Sequence, residues 1–588
     1  MVVLTCLSLL GYCIALRHLS KWPITVAPFF IISSIITLLY IFAYLDFLKT
    51  GTSIILIVGG FLLLCAPFFL WKEKKVFWET NATPGFVINL GFIALFLTLA
   101  RYAHFSYWDE FAQWGPHTKL VYFHNGLIRA SDITVHKAYP LGGALFQYLF
   151  FRLSGFSEGV AYVAQCLLTM APLMILFTRY RWAEWRHVFI FYTVTLVALF
   201  LLKIKMGPDD TLYMDGVVSI YVGMMLVAYL SSEKRAADIF YLIPMSAVLV
   251  TFKMKLLPFV LLVSVVILID QCFLHREKCW PRCLAIASLP ISAILMTTSW
   301  HHYLHTIQVP SEWALRPVFS PLTETQRIII NHYFHALIPA MIFIVLILMV
   351  TGFIYIRYQN MLQKRTLIII QTTMLIGFIA YISGILLLYL FSFSPYEATR
   401  HLSMYRYLHI YEIAWLLVTG YFLLNALKSY NFQFSKHVSN VFIISIFVGT
   451  ILYLSGFYFF HHQRADSKII TKIAGVVSAK TPAHAKIFAV WQHSQGLKHA
   501  ILAYALMPRT LNLGCTSFGK PYDAKDVWTC QKTPQQFSTE LHGFDFLLLA
   551  HTDSKFWRQY QSVLPKQKNL KPIYHDAFGP VYLIRLNS

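Results

Sequence analysis

The sequence predicts a polytopic α-helical membrane protein that ends in a small α/β domain. Three observations carry that prediction. The apolar residues fall in blocks of about 16–25, the length that crosses a bilayer as a helix. Charged residues make up only 13% of the 588, and hydrophobic ones 57%, against about 25% charged in an ordinary soluble chain. Every second loop is short and basic, the mark of loops retained in the cytoplasm.

Fourteen spans are expected, at about 2–16, 24–45, 52–71, 84–100, 158–178, 187–203, 213–231, 236–251, 255–274, 281–299, 334–356, 366–391, 408–427 and 439–459. The opening stretch has no basic n-region and no small-residue cleavage site, so it reads as a first span and not as a removable signal. Residues 140–154 are apolar but short, which suits a segment lying along the interface or re-entering the bilayer.

The basic loops are marked by Arg17 and Lys21; Lys72, Lys74 and Lys75; Arg179, Arg181 and Arg186; Lys234 and Arg235; Arg276, Lys278 and Arg282; Arg357, Lys364 and Arg365; and Lys428 with Lys436. Their phase places both termini outside. The long loops 101–139, 204–212, 300–333 and 392–407 then fall outside too, together with everything after about 462. Two domains follow: 1–461, a multi-span domain with an external loop at 101–157, and 462–588, an extracytoplasmic α/β domain. The expected place is the plasma (inner) membrane, crossed many times, with the working face extracytoplasmic.

The terminal region changes character. Strand patterns at 486–490, 544–550 and 580–586 alternate with helical patterns at 466–478 and 554–563. It holds no GxGxxG or P-loop, so it need not bind a nucleotide. Seven of the nine cysteines lie in or beside apolar segments and suit packing. Cys515 and Cys530 share the polar terminal region and are candidates for a disulfide in an oxidising compartment. The formal net charge of +22 would raise nucleic acid as a partner in a soluble chain. Here cytoplasmic loops and external phosphate contacts account for it, no nucleic-acid motif is present, and the bilayer is the expected partner.

The most informative stretch is 107–158. Asp109 and Glu110 follow the fourth span directly. Adjacent carboxylates beside an apolar wall must be solvated, paired or used. One reading makes Asp109 the cap of a helix running from Phe111 to Phe123. The other gives the pair chemistry. After the pair come an amphipathic stretch, then His136-Lys137-Ala138-Tyr139-Pro140-Leu141, an apolar segment, and the turn Gly155-Phe156-Ser157-Glu158.

This arrangement resembles the first extracytoplasmic loop of the GT-C superfamily of membrane glycosyltransferases, in particular its protein O-mannosyltransferase and lipid A aminoarabinose transferase branch. That branch carries an Asp-Glu pair after a span, a Lys-Pro-Pro-Leu-like segment, and a Gly-x-Ser/Thr-Glu-like turn. Phe111-Ala112 stand here where Arg-Tyr is usual, the Lys-Pro-Pro-Leu segment is loosened, and three extra spans come first. The resemblance implies a GT-C-like fold and a sugar donor carried on polyprenyl phosphate. It implies Asp109 as general base, Glu110 as an aid to acceptor orientation, and Lys137, with His136 beside it, as a phosphate contact. The acceptor would be an envelope glycolipid, polysaccharide or protein.

Basic residues also stand where topology does not favour them: Lys203 and Lys205, Lys253 and Lys255, and Arg400 and Arg406 around His401. Each suits snorkelling to headgroups. As a group they suit an anionic lipid headgroup, with Arg offering a fork and Lys a point charge. Asp209, Asp210 and Asp215 leave open a divalent metal, although a solvated turn explains them as well. His301 and His305 have zinc-compatible spacing, with His302 between them, but no HExxH motif. The Tyr504–Arg509 segment resembles a Tyr-Pro-Arg element of bacterial membrane glycosyltransferases, and equally suits a turn into a strand. A transporter or flippase, or a ligase, for lipid-linked saccharides remains the alternative. A transporter should show paired internal repeats, which the sequence lacks.

Overall fold

A computed structural model describes residues 1–71, 81–204, 211–274, 279–310, 323–429 and 463–586 apart from 523–525, with a few positions between 440 and 448. The chain is a polytopic helical membrane protein that divides into two compact units, Met1–Arg101 with Ala138–Gly456, and Tyr102–Lys137 with Phe457–Ser588.

In the first unit, nine helices among the described residues are long and apolar enough to cross a membrane. They are Val2–Ser20, Ala27–Tyr44, Leu48–Phe69, Glu158–Phe177, Met214–Ser231, Trp280–Thr306, Glu324–Arg357, Met361–Phe391 and Met404–Ser429. Shorter apolar helices cover Pro84–Ala100, Ala236–Phe252 and Leu257–Phe273. A helix also runs over Trp185–Ile204. Thirteen of the expected spans thus coincide with helix, and 439–459 lies outside the described residues, as do Lys72, Lys74, Lys75, Arg276, Lys278 and Lys436.

Helix Met214–Ser231 is buried almost throughout and packs against Met404–Ser429 at the centre of the bundle. The short apolar segment forms helix Gly142–Ser154, buried from Gly142 to Phe151. At about 1.5 Å per residue it is too short to span. Its apolar surface is met by protein, chiefly helix Glu158–Leu173.

The second unit is built on a five-stranded sheet. Strands β1 (Lys486–Trp491), β2 (Thr510–Leu511), β3 (Ser517–Phe518), β4 (Thr529–Cys530), β5 (Phe546–His551), β6 (Tyr574–Asp576) and β7 (Gly579–Arg585) appear in that order. The sheet order is β2-β1-β5-β7-β6, and β3 and β4 pair separately. β1 runs parallel to β2 and β5, while β7 is antiparallel to β5 and β6. Period-two alternation sends Phe488, Val490, Leu547 and Leu549 into a core with Phe537, Phe556 and Tyr560. That core seats helices Pro534–Leu541 and Ser554–Tyr560 on one face. Helices Ala465–Lys480 and Leu497–Leu506 pack on each other, and the latter also on β1. Cys515 and Cys530 are joined by a disulfide, with their Cα atoms 5.6 Å apart.

Residues Tyr102–Lys137 belong to this unit and not to the bundle that precedes them in sequence. Phe105 and Phe111 bring their rings to within 5.5 and 5.6 Å of Tyr504. Lys119 lies over the same ring and donates to the Tyr504 carbonyl at 2.8 Å. Arg464 donates to the Ser106 carbonyl. The expected boundary at 461 therefore does not describe the compact units.

Candidate functional site

The loop after the fourth span is held from within. Residues Glu110–Trp114 form a π-helical turn, continued by helix Gly115–His124. Such turns recur at functional sites. A Cβ at position 115 would lie 2.4 Å from the Glu110 carbonyl and 2.7 Å from the Phe105 ring, so only glycine fits. The helix ends at Asn125 in the left-handed conformation.

The two adjacent carboxylates part company here. Glu110 is fully buried, and its Oε2 accepts from the amides of Ser106 at 2.8 Å and Tyr107 at 3.0 Å. That geometry holds the loop. Asp109 occupies the N-cap position and stays partly exposed.

Asp132 ties the far end of the loop. It meets His124 Nε2 at 2.9 Å and accepts from the Arg129 amide at 2.6 Å. Lys137 donates to the carbonyls of Ala130 at 2.6 Å and Asp132 at 2.8 Å. Burial holds its ammonium below the usual lysine range, with nearby Asp132 partly offsetting the shift. His136, beside it, adopts a left-handed backbone.

The basic residues of the bundle converge on a carboxylate. Lys253 follows the helix ending at Phe252, and Asp215 and Arg406 sit in the first turns of helices Met214–Ser231 and Met404–Ser429. Lys253 Nζ lies 2.6 Å from one Asp215 oxygen, and Arg406 Nε 3.5 Å from the other. The cations also stack on rings: Lys253 lies 4.8 Å from Tyr407, and Arg406 5.2 Å from Tyr213. Two cations share one buried carboxylate.

Lys255 is exposed, with a left-handed backbone. Arg400 is exposed and lies 3.9 Å over the Tyr396 ring. His401, held against the Ile329 carbonyl, is pushed by burial toward the neutral form. The side chains of Lys203, Lys205, Asp209 and Asp210 lie outside the described residues. His301, His302 and His305 are exposed, and no cluster of three His, Cys, Asp or Glu side chains able to hold a metal occurs among the described residues. Arg509 caps the end of helix Ala465–Lys480, donating to the Ser478 and Thr481 carbonyls and to Thr481 Oγ1.

Sequence reasoning missed two buried polar groupings. His409 pairs with Glu412 within helix Met404–Ser429, on a face shared with Arg406. Asp270 binds Lys234 at 2.8 Å and the Tyr229 hydroxyl at 2.5 Å. The available signal was an ionisable residue inside an apolar run, which is costly unless paired or used.

No family model matches the chain, and no curated protein matches it. Among solved structures, it is similar to ArnT from Cupriavidus metallidurans bound to undecaprenyl phosphate. That likeness has 11% identity and a TM-score of 0.49, and covers 85% of this chain and 97% of that one. The same protein in its apo state gives 12% identity and a TM-score of 0.48 over the same shares. Neither likeness assigns a residue, so the chemistry rests on the groups described above.

Proposed function

We propose that the chain is a membrane glycosyltransferase that moves a sugar from a polyprenyl-phosphate donor to an envelope acceptor on the extracytoplasmic face of the inner membrane. The observation that carries this reading is the Lys253–Asp215–Arg406 cluster. Two cations on one carboxylate, at the ends of apolar helices, suit the phosphate of a lipid whose tail stays in the bilayer. As the bond from the anomeric carbon to the phosphate oxygen breaks, the lipid phosphate keeps the electron pair, and fixed positive charge stabilises it. The acceptor oxygen forms the new bond, and its proton passes to Asp109 as general base. Glu110 acts as a positioning residue, holding the turn that carries Asp109. The Cys515–Cys530 disulfide supports an oxidising compartment for the terminal domain.

The test is transfer by the full chain reconstituted with a polyprenyl-phosphate sugar and an envelope glycolipid fraction. Asp109→Asn keeps the size but loses the base, so kcat should fall by about 10²–10⁴. Arg406→Lys keeps the charge but loses the fork, so the KM for donor should rise. Near-normal transfer by Asp109→Asn at saturating donor and acceptor would remove the base assignment. A reporter fused at the C-terminus should be active outside the cytoplasm.

A further inference from the structure

The terminal domain carries a second group of polar and aromatic residues that the proposed transfer step does not use. In the sheet order β2-β1-β5-β7-β6, the chain leaves β1 for β2 on one side and leaves β5 for β6 on the other. Neighbouring parallel strands whose connections diverge open a crevice at their carboxyl ends, the place where open α/β sheets bind ligands. Here that crevice lies beyond Trp491 and His551, which are partners in register just after a bulge at Val490/Trp491.

The crevice is built from side chains on both strands and on the β6–β7 turn. Phe578, at that turn, is the hub. Its ring lies 5.6 Å from Trp491 and 6.3 Å from His551, and Lys498 Nζ sits 4.1 Å above it. Beside it, His493 meets Asp553 at 3.3 Å. His493 is about half exposed, with 49% of its side chain accessible.

Two polar atoms in this group are buried without a hydrogen-bond partner among the described residues: Trp491 Nε1 and Asp576 Oδ2. Trp491 is 0% exposed. A buried indole N–H without an acceptor is costly, and a ligand oxygen would satisfy it. Burial pushes His551 toward the neutral form, and Asp553 and Asp576 oppose the single charge of Lys498. The group therefore mixes donors and acceptors and has no strong net charge.

We infer that the carboxyl ends of β1 and β5 form a saccharide-binding site, taking an uncharged, hydroxyl-rich sugar. Vicinal hydroxyls donate and accept at once, which matches a Trp N–H, two histidines and carboxylates around one rim. The C–H face of a pyranose suits an aromatic wall. A phosphate would meet two carboxylates at the same rim. The loop after β1 also reaches the stretch that carries Asp109. Gly496 has a φ of +76°, and a Cβ there would lie 2.4 Å from Trp108, which itself packs on Trp528 at 5.2 Å. As an acceptor subsite the crevice rests on the transferase reading. As a sugar site it stands on its own residues.

The test is binding, which needs no transfer, so its failure is separate from failure of the transferase reading. The full chain in nanodiscs is applied to a printed array of defined pentose, hexose and aminosugar oligosaccharides, with inorganic phosphate as competitor. His493→Asn tolerates the left-handed backbone at that position. Asp553→Asn keeps an oxygen for the Phe556 amide that it caps. Lys498→Gln lies outside the turn and serves as a third variant. The wild type should bind a subset of the array, each variant should weaken binding about tenfold, and phosphate should not compete. No binding by the wild type, binding indifferent to all three variants, or displacement by millimolar phosphate would each overturn the assignment.

Discussion

The bundle and the terminal domain handle buried polarity in opposite ways. In the bundle, Asp215 is nearly inaccessible and answered by two cations, and Asp270 by Lys234 and Tyr229. In the terminal domain, His499 is buried, and its hydrogen-bond partner among the described residues is Asn512, at a long 3.4 Å. At the strand ends, Trp491 Nε1 and Asp576 Oδ2 have no hydrogen-bond partner among the described residues. A charge surrounded by lipid and apolar helices has no water to fall back on, so it must be paired outright. A neutral histidine in a water-facing domain can titrate instead. The difference separates charges whose removal breaks the fold from groups that respond to conditions.

The largest expected effect comes from breaking the pairing in the bundle. Asp215→Asn removes the carboxylate that Lys253 and Arg406 share. Removing one partner of a buried pair costs about 3–5 kcal/mol. The purified variant should therefore melt well below the wild type in detergent, with a loss of folded yield. Unchanged melting would mean that solvent or lipid already neutralises the two cations.

That cluster also shows how far the sequence could be read. Lys253 and Arg406 stood out because basic residues at those loop ends oppose the usual bias. Their carboxylate did not, since Asp215 lies 38 positions from Lys253 and reads equally well as part of an acidic turn with Asp209 and Asp210. The spans were legible because the bilayer fixes both length and composition. The strands β1, β5 and β7 were legible as apolar runs bounded by turns. The membership of Tyr102–Lys137 was not, because Phe105 and Phe111 suit any apolar surface, and nothing local names Tyr504 as their partner. Nor could adjacent carboxylates be told apart: whether Asp109 or Glu110 turns inward depends on the π-helical turn.

A smaller effect should appear with pH in the terminal domain. Burial lowers the His499 pKa from 6.5 to about 4, with Asn512 partly offsetting it. Between those values the unfolded chain binds more protons than the folded one, so stability rises with pH across the window and is lost as pH falls through it. The span of about 2.5 units corresponds to roughly 3 kcal/mol. His551, also held toward neutral, adds loss in the same direction. Melting of the terminal domain, followed by its tryptophan fluorescence, should drop between pH 6.5 and 4. His499→Gln should flatten that slope. A slope unchanged by His499→Gln would place the titration elsewhere.

The smallest effect sharpens the comparison at a single pair of neighbours. Glu110 is buried like the carboxylates of the bundle, and two backbone amides are among its partners. Glu110→Gln keeps an oxygen that can accept from Ser106 and Tyr107 but gives up the charge that strengthens those bonds. Charge-assisted bonds are about twice as strong as neutral ones, so a cost of about 1–2 kcal/mol is expected. Glu110→Ala leaves both amides unanswered in a buried turn and should cost more, in the range of about 2–3 kcal/mol. If Glu110 positions the turn, stability and transfer should fall in the same order, Ala below Gln below wild type. Transfer by the Gln variant should also recover at lower temperature, where the turn is held longer. A catalytic carboxylate would give another pattern: Gln as inactive as Ala, with melting close to wild type. Assaying both variants beside Asp109→Asn therefore separates the carboxylate that holds the turn from the one proposed to take the proton.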